Sequence, residues 1–116
     1  MNRKQKGNRR EYKTRDWFIF EGYRVTRAGG SFGEFDLICS GLDFIYYVQV
    51  KSNSWCSAKE YQAIREFPSP PTGNVKLVIR WNDKQRLPEI QIVTQTTLVP
   101  QRPEYLFRKR FNVTSE

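Results

Sequence analysis

The sequence of 116 residues has no histidine, only two cysteines, and no apolar run long enough to cross a membrane. The lack of histidine excludes His-based triads, a histidine general base and most zinc sites. Cys39 and Cys56 are too few for a disulfide scaffold and lack the spacing of a metal site, so we predict free thiols in a reducing compartment. Catalysis would have to use carboxylates, lysine, hydroxyls or a metal.

The first six residues, Met-Asn-Arg-Lys-Gln-Lys, are not followed by an apolar segment, so they do not form a secretory signal. We therefore expect an intracellular, cytoplasmic protein that has no membrane partner. The length predicts one domain, residues 1–116, and no linker divides it.

Basic residues outnumber acidic residues in the sequence. Lysine and arginine number 20 against 12 acidic residues, which gives a net charge of +8 and a pI near 9.8. The basic residues cluster near both ends, at Arg3, Lys4, Lys6, Arg9, Arg10, Lys13 and Arg15, and at Arg102, Arg108, Lys109 and Arg110. This distribution favours a polyanion partner, with nucleic acid first. The alternatives are a soluble basic protein without such a partner, or a disordered tail.

Residue patterns predict an α/β fold. We expect a flexible basic arm, a helix, three strands, a second helix with a capping box from Ser57 to Glu60, two strands, and an irregular basic-aromatic extension. The arm is residues 1–7 and the extension is residues 94–116. The helices are predicted at 8–21 and 57–67, and the strands at 23–27, 34–39, 44–51, 75–81 and 89–93. The order α-β-β-β-α-β-β predicts a central mixed sheet of about five strands flanked by helices. Four aromatic side chains are assigned to packing: Tyr46, Tyr47, Trp55 and Trp81.

An acid, an amide and a lysine fall on two neighbouring predicted strands. Gln49 and Lys51 are two residues apart, so their side chains point to the same face of the strand. If the two strands pair as a hairpin, Asp36 joins them. Such a cluster can hold a hard divalent cation on oxygen ligands, with an ammonium group close by.

Four ordered motifs resemble the PD-(D/E)XK nuclease superfamily and, within it, the archaeal-type Holliday junction resolvases. They are Lys6-Gly7-x-x-x-Glu11, Gly22-Tyr23-x-Val25-x-Arg27 leading into Gly30-Ser31, Asp36-Leu37-Ile38, and Val48-Gln49-Val50-Lys51-Ser52. The match runs from Lys6 to about Val93. The resemblance implies a restriction-endonuclease-like core and a homodimeric, metal-dependent endonuclease that makes paired symmetric cuts in four-way DNA junctions, without an organic cofactor.

The resemblance also assigns residues. It implies catalytic roles for Glu11, Ser31, Asp36, Gln49 and Lys51, with Mg²⁺ or Mn²⁺ held by Asp36, Gln49 and Glu11. Lys51 would orient water or stabilise charge on the phosphate, and Ser31 would contact a phosphate or position water. The alternative for Glu11 is a solvated helix residue paired with a neighbouring arginine.

Position 49 departs from the family pattern, because it holds glutamine where glutamate is usual. An amide oxygen can ligate a metal but brings no negative charge. Three outcomes are open. The site works with Asp36, Glu11 and a backbone carbonyl; another acid, Glu60 or Glu34, substitutes; or the protein binds DNA without cutting it.

Contacts to DNA are expected from the basic arm, the glycine-rich turn and the end of the third strand. The residues are Arg3, Lys4, Lys6, Arg9, Arg10, Arg27, Gly30, Ser31 and Ser52. Other hypotheses are a nuclease of the same superfamily that acts on flaps, forks or duplex, and a non-catalytic DNA-binding module with a degenerate site.

Overall fold

Two helices pack against opposite faces of a six-stranded sheet in the computed structural model, which describes residues 3–30, 32–41, 44–97 and 112–115. The elements are α1 (Arg3–Phe20), β1 (Arg24–Arg27), β2 (Leu37–Ser40), β3 (Ile45–Ser52), α2 (Ala58–Glu66), β4 (Asn74–Trp81), β5 (Glu89–Gln95) and β6 (Asn112–Ser115).

The strands lie in the sheet in chain order. The pairs β1–β2, β2–β3 and β4–β5 are antiparallel, whereas β3–β4 and β5–β6 are parallel. The parallel pair β3–β4 is connected through α2, as a parallel pair requires a crossover. The predicted α/β class and mixed sheet are confirmed, and β6 adds a strand inside the segment predicted to be irregular. Residues 98–111 of that segment lie outside the described residues.

The basic N-terminal segment is helical, which corrects the prediction of a flexible arm. Helix α1 begins at Arg3, so residues 3–7 form its first turns. Arginine, lysine and glutamine are good helix formers. Tertiary contacts add to this propensity, since Lys6 Nζ lies 2.9 Å from Asp83 Oδ1 across the domain.

Strand β2 begins later than the sequence predicts. Residues 34–36 belong to the preceding turn, in which the Phe35 N–H donates to the Phe32 carbonyl at 2.9 Å. Gly33, with φ of 55°, supplies the left-handed backbone of this turn. Asp36 therefore lies at the entrance of the strand.

The core has two layers, one on each face of the sheet. Alternate residues of β3 divide between them: Tyr46 packs with Phe18 of α1, and Tyr47 packs with Ile64 of α2. A central strand buried on both faces explains the continuous apolar character of this segment. The predicted packing roles of Tyr46, Tyr47, Trp55 and Trp81 are confirmed, and Cys39 and Cys56 are buried free thiols.

Both ends of α2 are fixed. Ser57 and Glu60 form the predicted capping box at its start. At its end, the buried Lys76 of β4 donates to the carbonyls of Arg65 and Phe67 at 3.1 and 2.7 Å. Burial lowers the pKa of Lys76, and the two carbonyls satisfy its ammonium group.

Within the described part of the chain, neither helix has the length and apolar character needed to span a bilayer.

Candidate active site

A cleft of about 430 Å³ opens where α1 crosses the ends of β2 and β3. It is lined by Gly7, Asn8, Glu11, Asp36, Gln49, Val50, Lys51 and Ser52. The structure thus brings together four of the five predicted catalytic residues, which come from a helix, a turn and a strand. The fifth, Ser31, lies outside the described residues.

Asp36 is held against β3 by two hydrogen bonds. Its backbone N–H donates to the Val48 carbonyl at 2.8 Å, and its Oδ2 accepts from the Val50 N–H at 2.8 Å. Burial raises the pKa of this carboxyl to about 6, opposed by the Val50 hydrogen bond. The charge of Glu11 raises the pKa further, and Lys51 lowers it. The negative charge of Asp36 is therefore poorly compensated within the cleft.

The amide oxygen of Gln49 is also uncompensated among the described residues. Its residue is 9% exposed, and its Oε1 is buried without a hydrogen-bond partner among the described residues. An unsatisfied buried acceptor costs about 1–3 kcal/mol. A cation or a donor group of a ligand would satisfy this oxygen.

These donors fit a hard divalent cation. The carboxylates of Asp36 and Glu11 and the amide oxygen of Gln49 are the oxygen ligands that magnesium and manganese accept. Across the described ranges, however, no group of three His, Cys, Asp or Glu residues is placed to hold a metal ion. Because position 49 supplies an amide, the donor set carries fewer negative charges and predicts weak binding.

Glu11 lines the cleft and also pairs with an arginine. Arg27 Nε lies 3.3 Å from Glu11 Oε1, and Arg27 donates to the Tyr12 hydroxyl at 2.9 Å. The guanidinium stacks on the Tyr12 ring at 4.5 Å from its centroid. Arg27 is thus bound to the site acid rather than held free for phosphate, and Glu11 has the arginine partner of the alternative interpretation.

Lys51 is positioned by the helix on the far side of the sheet. Its Nζ lies 3.0 Å from Glu60 Oε2, while Glu60 Oε1 accepts from the Ser57 N–H at 2.9 Å. The Ser57 hydrogen bond, followed by Lys51, lowers the pKa of Glu60. In the structure Glu60 therefore anchors the lysine, and the charge of Glu34 raises the pKa of Asp36.

The predicted DNA contacts occupy different places. Ser52 lines the cleft, Lys6 and Arg10 pair with Asp83, and Arg9 lies in an adjacent groove. Gly30 lies in the loop between β1 and β2 with φ of 86°, and it is not one of the residues that line the cleft. Ser31 and the side chains of Arg3 and Lys4 lie outside what the structure describes.

Sequence reasoning missed Asn53 and Asp83. Asn53 has φ of 65°, and its side chain donates to Asp83 Oδ2 at 3.1 Å and accepts from the Asp83 N–H at 2.9 Å. Hydrogen bonds from Lys6 and then Arg10 lower the pKa of Asp83 to about 2. The available signal was an asparagine directly after a strand, where left-handed backbone is tolerated. Its partner lies 30 residues away and has no local signature.

Comparison with solved structures finds a similar fold in Hjc, a Holliday junction resolvase from the archaeal hyperthermophile Archaeoglobus fulgidus. The TM-score is 0.59 at 20% sequence identity, and the alignment covers 76% of this chain and 73% of that chain. The two proteins share the α/β architecture. No protein-family model matches the sequence, and no curated protein matches it.

Proposed function

We propose that this chain is a divalent-metal-dependent DNA endonuclease of the PD-(D/E)XK type, which cuts four-way junctions as a homodimer. The observation that carries the proposal is the cleft in which Glu11, Asp36, Gln49 and Lys51 meet. These residues belong to three of the four motifs of the sequence resemblance, and all of them line one cavity. The shared fold with an archaeal resolvase supports the same assignment.

In this proposal, Asp36, Gln49 and Glu11 hold the cation. A divalent cation bound there would neutralise the phosphate and lower the pKa of water. Asp36 must be ionised to bind a cation, and its raised pKa of about 6 means that a proton competes with the cation near that pH. The Val50 N–H keeps the carboxylate oriented towards β3 in that state.

Lys51 serves as a fixed hydrogen-bond donor to a phosphate oxygen. Its ion pair with Glu60 limits the rotamers of a long side chain before substrate arrives. Donors that are oriented in advance stabilise developing charge without reorganisation. The net charge of +8 and the basic face of α1 supply attraction for the DNA backbone.

A homodimer accounts for paired cuts, because two symmetric phosphodiesters require two symmetric active sites. The sequence resemblance supports both the dimer and the four-way junction. Other branched DNA and plain duplex are the competing substrates.

The test is cleavage of a labelled synthetic four-way junction with Mg²⁺ or Mn²⁺, beside linear duplex of the same sequence. We expect paired symmetric nicks on the junction and none with Asp36→Asn, which should retain junction binding. Equal cleavage of both substrates would reject the junction preference. Normal cleavage by Asp36→Asn would reject the site.

A non-catalytic DNA-binding module is a second candidate. It is favoured by the amide at position 49 and by the lack of a three-acid cluster among the described residues. Tight junction binding without cuts at any concentration of Mg²⁺ or Mn²⁺ would establish it.

A further inference from the structure

A second concave surface runs along α1 beside the cleft. This basic groove, of about 360 Å³, is lined by Lys6, Arg9, Arg10, Lys13, Trp81, Asn82, Asp83 and Gln85. The four cations recur at helical spacing, so they share one side of α1. A groove with cations along one wall fits a chain of phosphates better than it fits a single small anion.

The basic groove is continuous with the cleft. A hollow lined by Lys6, Ser52, Asn53 and Ser54 lies between them. It shares Ser52 with the cleft and Lys6 with the basic groove. A strand with a phosphate in the cleft could therefore run through these adjoining hollows, past the end of β3, to the cations of α1.

The cations of the basic groove are oriented in advance. Arg10 donates to the Trp81 carbonyl at 3.0 Å, and the Trp81 indole N–H donates to the Thr14 hydroxyl at 3.0 Å. Lys13 Nζ lies 4.7 Å from the centroid of the Trp81 ring. These contacts fix α1 against the end of β4 and hold its basic side in place.

An acid already lies between these cations. The Asp83 carboxylate accepts from Lys6, Arg10 and Asn53, although its side chain is 48% exposed. Its oxygens thus contact the same donors that a phosphate oxygen would need. The lowered pKa of Asp83 shows that the cations stabilise its charged form.

We propose that the basic groove binds a backbone phosphate of the strand that leaves the cleft, and that this phosphate displaces Asp83 from Lys6 and Arg10. Asp83 is then an internal competitor that weakens binding wherever the groove alone is engaged. A substrate that fills both the cleft and the groove compensates for the displacement. The identification of the strand as DNA rests on the proposed function; the competition does not require cleavage.

The test measures binding of a short fluorescein-labelled DNA duplex by anisotropy, in EDTA and at low ionic strength. Asp83→Asn keeps an oxygen for Asn53 and an unchanged backbone N–H, but removes the charge. We expect it to tighten binding about threefold to tenfold, as two exposed ion pairs no longer compete.

The matched control is Asp16→Asn, which removes one acid from α1 at a pair with Arg15 outside the basic groove. It should tighten binding less than twofold. On a background of Lys6→Met and Arg10→Met, the gain from Asp83→Asn should disappear. Thermal unfolding of each variant shows whether it is folded.

Equal changes in DNA affinity for Asp83→Asn and Asp16→Asn would overturn the competition, because net charge alone would then explain them. Weaker binding by Asp83→Asn would also overturn it and would mean that Asp83 anchors the cations of the groove. The proposed nuclease is tested separately by metal-dependent cleavage. Tighter DNA binding by Asp83→Asn without any cleavage would reject the nuclease and leave this inference standing. Cleavage without tighter binding by Asp83→Asn would support the nuclease and reject this inference.

Discussion

At the scale of single residues, Asp36 and Gln49 share an unfavourable state that one ligand would relieve. Burial raises the pKa of Asp36 to about 6, and the Gln49 Oε1 is buried without a partner among the described residues. Both groups place an oxygen atom in the same cleft. Each oxygen destabilises the protein until a cation or a hydrogen-bond donor binds to it. Functional sites commonly lower the free energy of unfolding in this way, because groups that must bind a ligand are left uncompensated without it.

Asp36→Asn should therefore stabilise the metal-free protein at neutral pH. A carboxyl with a raised folded-state pKa contributes stability below its ordinary pKa of 3.8 and loses it as pH rises through about 6. Above that pH the charged carboxylate costs about 1–3 kcal/mol, which asparagine removes while still accepting from Val50. Urea unfolding at pH 5, 6 and 7.5 in EDTA measures the change.

The difference between Asp36→Asn and the native protein should grow from pH 5 to 7.5, and Mg²⁺ should shrink it by stabilising only the native protein. Asp16→Asn, at an exposed pair, serves as the control. A constant difference across this pH range would show that Asp36 titrates normally.

Gln49→Glu should tighten metal binding about tenfold or more, because it returns a negative charge to the donor set. Titration with Mn²⁺, followed by the enhancement of water proton relaxation, reads the affinity without requiring activity. Cleavage should be retained or increased. In EDTA the variant should be less stable than the native protein, since two buried carboxylates then face each other.

An unchanged or weaker Mn²⁺ affinity for Gln49→Glu would mean that residue 49 is not a ligand. A large loss of cleavage at saturating metal would mean that the amide has a specific role of its own.

At the scale of elements, α2 supports the site from the face of the sheet opposite α1. Its Glu60 closes the capping box with one oxygen and holds Lys51 with the other. Helix stability and lysine orientation are thus linked through a single carboxylate.

Ser57→Ala should lower the free energy of unfolding by about 1 kcal/mol through loss of the N-cap. It should also reduce cleavage, because the Glu60 N–H loses its bond to the Ser57 hydroxyl and the first turn of α2, which carries the Glu60 side chain, is less firmly held. Ser57→Thr, which retains a capping hydroxyl, should restore both. Junction nicking rates, with guanidinium unfolding of the same samples, test the prediction; full activity in a destabilised Ser57→Ala protein would separate the cap from the lysine.

At the scale of the whole molecule, the described residues of one chain form one such cleft, so the proposed paired cutting would need two chains. Mixing native and Asp36→Asn chains in equal amounts should leave about a quarter of the dimers with two intact sites under random association. We expect single nicks to replace much of the paired cutting, read on a junction labelled on both susceptible strands. Paired cutting that simply falls to half, without single nicks, would show that each chain acts alone.

The sequence alone determined the order of both helices and the first five strands, and it brought together three residues of the cleft. Alternation along β3 placed Gln49 beside Lys51, and the hairpin with β2 brought Asp36 to them, because side-chain direction in a strand follows from a local period of two. The Ser57 capping box and the α/β order are equally local. The site roles of these residues, and of Ser31, stay predictions.

Only the tertiary structure decided which charges meet. The pairs Arg27–Glu11, Lys51–Glu60 and Lys6–Asp83 join residues from different elements, and Asp83 lies 77 positions from its lysine. The packing of the helices on the sheet determines which long charged side chains are close enough to pair, and no local sequence pattern encodes that packing. The same packing made the basic arm a helix and added β6 to the sheet, because both depend on contacts with distant parts of the chain.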